Sequence, residues 1–348
     1  MSAISLSCDW LRPGDAATAR RWDDFVQACP EATFFHLSGW AELGARVYGH
    51  RPCWLYTQRG CEITGVLPLS RVTSRLFGDS LVSTPFCVYG GVAAVDEASR
   101  QLLIARACDL AQTLDVDVME LRHRQPVRAD WPRKQLYATF RKPIAADAEA
   151  NLLSIPRKQR AEARRGIKNG LQWAVDPDSR RAYDIYAESV RNLGTPVFAR
   201  DHFRLLDELF GDAVQSSVVE QNGRPQSAVV SFRFRDEILP YYGGALAGAR
   251  PLGAYAFLYY QVMAHAGEAG ARWFDFGRSK RGTGSYDFKR FFGFEPQPLH
   301  YEQYLVNSRA IPEVNPLNPK YRLFIAAWKR LPLAVANRIG PLLAGSLG

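Results

Sequence analysis

The 348-residue sequence has no run of about 18 uncharged apolar residues, so no membrane-crossing helix is expected. Asp9 and Arg12 stand near its start in place of a basic then apolar leader, which points to a cytoplasmic protein. The cysteines Cys8, Cys29, Cys53, Cys61, Cys87 and Cys108 all lie in the first third and include no CxxC pair, a spacing that fits buried free thiols better than disulfides or metal ligands. The six histidines show no HxxxH or similar pairing either, so no metal site is expected.

Three more absences remove enzyme classes. Asp275-Phe276-Gly277 spells the metal-binding tripeptide of protein kinases, but no glycine-rich loop with a strand lysine and no HRD loop accompanies it. Gly277 to Gly284 has the glycine spacing of a phosphate loop, yet Thr283 stands where a lysine should follow the second glycine. Ser279 lacks the second glycine that a strained nucleophile elbow needs. Kinase, P-loop and serine-hydrolase chemistry are thereby set aside.

What is present suits two domains. The length, with 47% hydrophobic and 12% aromatic residues, is enough to bury two cores. The net charge of +9 is concentrated in one place: Leu121 to Gln172 holds thirteen Lys and Arg against four Asp and Glu, a surplus equal to that of the whole chain. A helix is predicted after Pro156, and Arg157, Lys158, Arg160, Arg164, Arg165 and Lys168 fall on it. It reads either as an anion-binding face or as a solvated connector.

A repeat organises the rest. A helical pattern near Leu37–Val47 leads to an apolar run at Cys53–Thr57, a turn at Arg59-Gly60 and a second run at Ile63–Leu69. A helical pattern at Asp201–Phe210 leads to Ser217–Glu220, an Asn222-Gly223 turn and Ser227–Phe234. Downstream, Tyr89-Gly90-Gly91 ends a predicted strand, followed by a helix at about Ser99–Leu114 and a strand at Val116–Leu121. Tyr242-Gly243-Gly244 does the same before a helix at about Ala254–Gly267 and a strand at Arg272–Phe276. Copies about 155 to 165 residues apart are a duplicated domain, not a solenoid. A crossover helix in each implies one parallel strand pair in an otherwise antiparallel sheet.

The second copy ends in Trp273–Phe294, where an aromatic strand meets Gly277, a loop bearing Arg278, Ser279, Lys280 and Arg281, and an aromatic run of Tyr286, Phe288, Phe291 and Phe292. Strand, glycine, cationic loop and aromatic anchor describe a binding site at a strand end.

On these residues, DFGRS followed by G-x-Y-x-F-K-x-F-x-G-F together with Tyr241-Tyr242-Gly243-Gly244, the chain resembles the FemAB-like family, and most of all the FemAB-like proteins of exopolysaccharide and PEP-CTERM/exosortase loci. The resemblance spans about Phe25 to Tyr304. It implies an α+β fold of two tandem GNAT-like (acyl-CoA N-acyltransferase) domains, with mixed sheets flanked by helices. The expected boundaries are 1–150 and 151–310, with 311–348 as a basic amphipathic tail. It also implies transfer of an amino acid or acyl group to an amino group of a cell-wall or exopolysaccharide precursor. Phe288 and Lys289 match the Phe-Lys pair that the family places beside the donor. The basic segment after Pro156 leaves no room for the coiled-coil arm of some Fem proteins.

The chemistry of such a transfer assigns roles. Amine attack on an ester or thioester needs a deprotonated nucleophile, a stabilised oxyanion and a held leaving group. Tyr242 and Tyr286 could protonate the leaving group or bond the oxyanion, unless they are core aromatics. Arg278 and Lys289 could hold donor phosphates, with Ser279, Phe288, Gly243 and Gly244 lining the substrate. Asp275 could orient the amine, or simply cap a turn or pair with Arg278. Lys280 and Arg281 read as solvent-facing. Arg157, Lys158, Arg164, Arg165 and Arg250 are the candidate phosphate contacts. Arg250-Pro251-Leu252-Gly253-Ala254-Tyr255 only partly matches the pyrophosphate turn of acyl-CoA enzymes.

No permanently bound cofactor is expected; acyl-CoA or aminoacyl-tRNA is the co-substrate. The expected partners are a glycan or peptidoglycan-type precursor, tRNA and the inner membrane surface, with no DNA. The tail from Tyr321 to Leu343, interrupted at Pro332, either packs on the first domain or lies on an anionic membrane. The alternative to an enzyme is a non-catalytic GNAT-scaffold partner of a surface-polysaccharide system.

Overall fold

The computed structural model describes residues 5–74, 78–311 and 319–345, without the side chains of 319–323. The chain forms two compact units. Unit 1 comprises residues 1–135, 298–314 and 345–348, and unit 2 comprises 136–297 and 315–344. The boundaries therefore fall at 135/136 and 297/298, not near 150 and 310. The reason is sheet pairing. Strand Tyr137–Pro143 lies between Trp273–Asp275 and Ser279–Lys280 in the unit 2 sheet, while His300–Leu305 lies between Val118–His123 and Arg133–Lys134 in unit 1. Unit 1 thus takes an inner strand from beyond residues 1–135, and unit 2 begins with an inner strand that lies before the expected boundary.

The predicted order holds in both units. Unit 1 runs helix Gly39–Tyr48, hairpin Leu55–Arg59 and Glu62–Leu67, strand Gly78–Ser83, helix Glu97–Thr113, strand Val118–His123. Unit 2 runs helix Arg200–Phe210, hairpin Val214–Gln221 and Arg224–Phe234, strand Glu237–Ala245, helix Ala254–Glu268, strand Trp273–Asp275. The second hairpin turns on Asn222 and Gly223, both with positive φ (51° and 72°), as a two-residue hairpin of matching twist requires. The strands flanking each crossover helix are parallel neighbours. One expectation fails locally: Tyr89-Gly90-Gly91 follows the strand, which ends at Ser83, and lies in a loop.

In unit 2 the helix Ala254–Glu268 is apolar on all sides and almost wholly buried, so it needs cover on both faces. The sheet strands Arg224–Phe234 and Glu237–Ala245 cover one side, and the helices Ala148–Ser154 and Arg157–Lys168 cover the other. Gly166 makes the last contact possible, since a Cβ there would lie 2.5 Å from the Phe257 side chain.

Residues 319–344 of the tail belong to unit 2, and Gly345 belongs to unit 1; 312–318 and 346–348 lie outside the described residues. The helices Pro319–Trp328 and Leu333–Ala344 meet at Pro332. The second packs against helix Arg180–Leu193. All six cysteines are free, and Cys61, at the turn of the first hairpin, is exposed where a buried thiol was expected. No described helix is long and apolar enough to cross a membrane.

Candidate active site

The unit 2 site forms where its parallel pair stops pairing. Glu237–Ala245 and Trp273–Asp275 share a ladder only at Glu237↔Trp273 and Ile238↔Phe274. The longer strand continues to Ala245, and its register against Arg224–Phe234 shifts so that Tyr241 is the extra residue of a bulge. On the other side Gly277 takes φ +63°, a conformation costly for other residues, and turns the chain away from the sheet. A Cβ at Gly277 would meet the Tyr241 ring at 3.7 Å, so this ring lies against the loop that follows the short strand.

Asp275 fixes that turn. It is fully buried and accepts from Thr139 Oγ1 at 3.1 Å and from the Gly277 amide at 2.7 Å. Its carboxylate caps the turn, the structural option anticipated for it.

Lys289 fixes the loop. Thr283 caps helix Gly284–Phe291 by accepting from the Tyr286 amide, and the helix carries Lys289 back to the strand end. Its Nζ donates to the carbonyls of Phe276 (2.6 Å), Gly277 (3.0 Å) and Arg278 (3.1 Å), with the Phe140 and Phe276 rings 5.5 and 5.8 Å away. Burial pushes the ammonium down to about 7, opposed by Asp275 and reinforced by Arg278. Three carbonyls take three N–H groups, so the tether is complete only in the ammonium form.

The other expected residues divide into two groups. Arg278, half-buried, lies over the Tyr137 ring at 5.0 Å. Ser279 is buried, and its Oγ has no hydrogen-bond partner among the described residues. Tyr286 packs edge-on against Phe140 at 5.1 Å, and no described residue bonds its hydroxyl. Phe288 packs on Tyr255 and Tyr259. These gather with Lys289 and Asp275 around one loop. Lys280, expected to face solvent, is half-buried, and burial lowers its pKa.

Tyr242 belongs elsewhere. It is buried among Tyr186, Phe198 and Phe203, with its hydroxyl 2.9 Å from His202 Nε2, so the leaving-group role expected for it is not supported. Gly244 faces the same way: a Cβ would lie 2.8 Å from the Tyr186 Cα. Gly243 points to the opposite face, 2.5 Å from Tyr259 Oη by the same measure, and that close approach is what requires glycine there.

Two tyrosines escaped sequence reasoning. Tyr255 and Tyr259, one turn apart on the crossover helix, place their hydroxyls 3.1 Å from each other beneath Gly243, and burial raises the pKa of both. Their i, i+4 spacing was visible, but nothing in it marked them out from a core stripe.

The basic helix is Arg157–Lys168, as predicted. Ala163 and Gly166 form its buried side; Arg157, Lys158, Arg164, Arg165 and Lys168 are exposed. Arg164 and Arg165 pair with Glu149 and Glu162 at 3.7 and 2.9 Å. Arg250 is exposed. Gly253, which precedes the crossover helix, is buried, and a Cβ there would lie 2.3 Å from the Glu162 carbonyl oxygen. The basic helix therefore covers one side of the turn where a CoA pyrophosphate was considered.

Unit 1 treats its own parallel pair differently. Gly78–Ser83 and Val118–His123 pair at Ser80↔Val118, Leu81↔Met119 and Val82↔Glu120. Beyond that the Gly90 and Gly91 amides both donate to the Arg122 carbonyl (3.2 and 2.9 Å), and the Val92 amide donates to His123 Nε2 at 2.9 Å. His123 Nδ1 lies 3.0 Å from Glu302, which also accepts from the Val127 and Arg128 amides. Burial alone would raise the pKa of Glu302, but these bonds outweigh it and hold the carboxyl below its usual range. Nearby, Glu120 binds Arg122 (2.9 Å) and Lys134 (2.7 Å). Among the described residues no group of three or more His, Cys, Asp or Glu could hold a metal ion.

Comparison with known proteins accords with this architecture. The family description "Acetyltransferase (GNAT) domain" matches residues 157–290, less than half the chain. No curated protein matches it in sequence. Among solved structures, FemX is similar with a TM-score of 0.64 at 15% identity, over 91% of this chain and 100% of that one. A tandem GNAT protein from the clavulanic acid biosynthesis pathway gives 0.52 at 14% identity, over 86% and 98%. L-PGS from Bacillus licheniformis gives 0.51 at 13% identity, over 84% and 97%. At such identities the likeness is one of fold: the chain is folded as two tandem GNAT-like domains.

Proposed function

We propose that the protein is a FemAB-like N-acyltransferase or aminoacyltransferase that modifies an amino group on a cell-wall or exopolysaccharide precursor, with its chemistry in unit 2. The observation that carries this reading is the parallel pair that stops pairing after Ile238↔Phe274 and leaves a strand end lined by Tyr241, Gly243 and the Lys289-held loop. Crevices at the carboxyl ends of parallel strands are where open sheets bind ligands.

The acceptor amine would attack the donor carbonyl; a C–N bond forms, the C–O or C–S bond breaks, the leaving atom takes a proton, and the proton shed by the amine nitrogen returns through solvent to the group that donated it. Tyr286, with a hydroxyl that no described residue uses, is the proposed proton donor. Arg278 would hold donor phosphate, and Phe288 and Ser279 would line the bound chain. Lys289 acts mainly by positioning, because its three N–H groups already serve carbonyls. The donor is an aminoacyl ester carried by tRNA or an acyl-CoA, and the cover over Gly253 narrows the room for a CoA pyrophosphate at that turn. FemX, as a fold relative, and the resemblance to exosortase-associated proteins support the acceptor class.

The test is intact-mass analysis of amino-sugar lipid and peptide acceptors after incubation with aminoacyl-tRNA or acyl-CoA pools. A gain of one aminoacyl or acyl mass supports transfer. No mass gain with any donor would overturn it in favour of a non-catalytic scaffold.

A further inference from the structure

We infer that the C-terminal helix Leu333–Ala344 docks the protein onto an anionic lipid surface. The transferase reading is not needed for this inference, which stands on how the helix distributes its side chains. Ala336, Gly340 and Ala344, spaced i, i+4, i+8, form the buried stripe. Small residues let the helix lie close: a Cβ at Gly340 would be 2.9 Å from the Val197 amide nitrogen. The large apolar residues point outward. Val335 is 42% exposed, Ile339 37% and Leu342 75%, and Arg338 stands among them, also exposed. At about 100° per residue these four fall within roughly one quarter to one third of the helix circumference. A helix anchored only to its own domain has no need of that outer stripe.

The charge around it indicates what covers it. From Val314 to Gly348 the sequence has five Lys and Arg and no Asp or Glu. Lys329 and Arg330, just before Pro332, are exposed, as is Phe324 on the preceding helix. A second copy of the chain would bring the same unbalanced cations against themselves. A nucleic acid would satisfy the cations but leave the aliphatic stripe in water. An anionic bilayer satisfies both, with aliphatic side chains in the acyl boundary and cations at the headgroups, the arrangement of an interfacial amphipathic helix. The helix is about 18 Å long, too short to span and suited to lying in the interface plane.

The experiment is co-sedimentation of the full chain with phosphatidylcholine vesicles and with vesicles containing phosphatidylglycerol. Binding should require the anionic lipid and weaken as salt rises. The double variant Ile339→Glu, Leu342→Glu should lose at least about tenfold in partitioning, and Arg338→Gln about fivefold, the contribution of roughly one cation near an anionic leaflet. Both sites are exposed, so the variants should fold, and unchanged thermal unfolding by circular dichroism confirms it. Equal binding to neutral vesicles, no binding at all, or undiminished binding by the double variant overturns the inference. So does a dimer in sedimentation velocity that the double variant dissociates, or retention of tRNA with no vesicle binding. Because vesicle binding is read without turnover, its failure alongside mass gain on a soluble acceptor removes the docking helix and leaves the transferase standing. Docking without mass gain does the reverse.

Discussion

Unit 1 and unit 2 share an order of elements but finish their parallel strand pairs in opposite ways. In unit 1 the loop after the first strand turns back, and Gly90, Gly91 and Val92 hydrogen-bond to the end of the second, with His123 filling the space beside Gly91. In unit 2 the ladder lapses after two residue pairs, and a lysine from the next helix gathers the carbonyls at the strand end. A duplicated fold can therefore close the strand end by backbone hydrogen bonds in one copy and by a single lysine side chain in the other. The first copy holds buried carboxylates with every partner in place, as in Glu302 with His123 and two amides. The other holds a buried Ser279 hydroxyl without a described partner and a Tyr286 hydroxyl that no described residue uses.

The largest effect should come from the unit 2 tether. Lys289→Ala is expected to lower transfer by about one to three orders of magnitude, the range for loss of one charge-stabilising or positioning contact. It should also destabilise the protein by about 2–4 kcal/mol, because several carbonyls lose a donor and a gap is left. The three carbonyl bonds are the reason a stability loss accompanies the loss of transfer. Single-turnover transfer and urea denaturation separate the two losses. Lys280→Ala should leave transfer within about twofold, and an equal loss there would break the distinction between the two lysines.

Unit 1 should respond in stability alone. Glu302→Ala removes the acceptor of His123, Val127 and Arg128 in a fully buried place and should cost about 3–5 kcal/mol. Turnover per folded molecule should be unchanged when measured well below the variant's midpoint. A fall in kcat with retained folding would mean that unit 1 is more than a support.

The smallest effect, counted per pH unit, is a slope of stability with pH. The Lys289 ammonium titrates near 7 in the folded protein and near 10.5 when unfolded, so between these values the unfolded chain holds a proton that the folded one has released. Stability should then rise with pH across that window, by at most about 1.4 kcal/mol per unit, with the burial penalty fully present below 7. Urea midpoints at several pH values, compared with Lys289→Met, isolate the slope. A variant that keeps the wild-type slope would assign it to another group.

Much of the frame was legible because it is written locally. Hydrophobic periodicity and the turn residues at Gly60 and Asn222-Gly223 announced two hairpins, and the spacing of the helices announced the crossovers and hence the parallel pairs. Pro156 and Pro332 marked a helix start and a break for the same reason. The loop residues Arg278, Ser279, Phe288 and Lys289 could be gathered in advance because they are close in sequence.

What the sequence by itself determined, then, is the doubled order of elements and the stretch where unit 2 is cationic, glycine-hinged and aromatic. Tertiary structure alone decided the domain boundaries, since Tyr137–Pro143 and His300–Leu305 reach their places by pairing with strands far along the chain, which no local period encodes. It decided that Tyr242 turns to His202 while its neighbour Tyr241 lies against Gly277, because a bulge resets which side of a strand each residue faces. It brought Glu302 to His123 across 179 residues. It also made Lys289 the tether of the loop. The charge was plain in the sequence, but the three carbonyls that accept its N–H groups come together only when the helix folds back on the strand end.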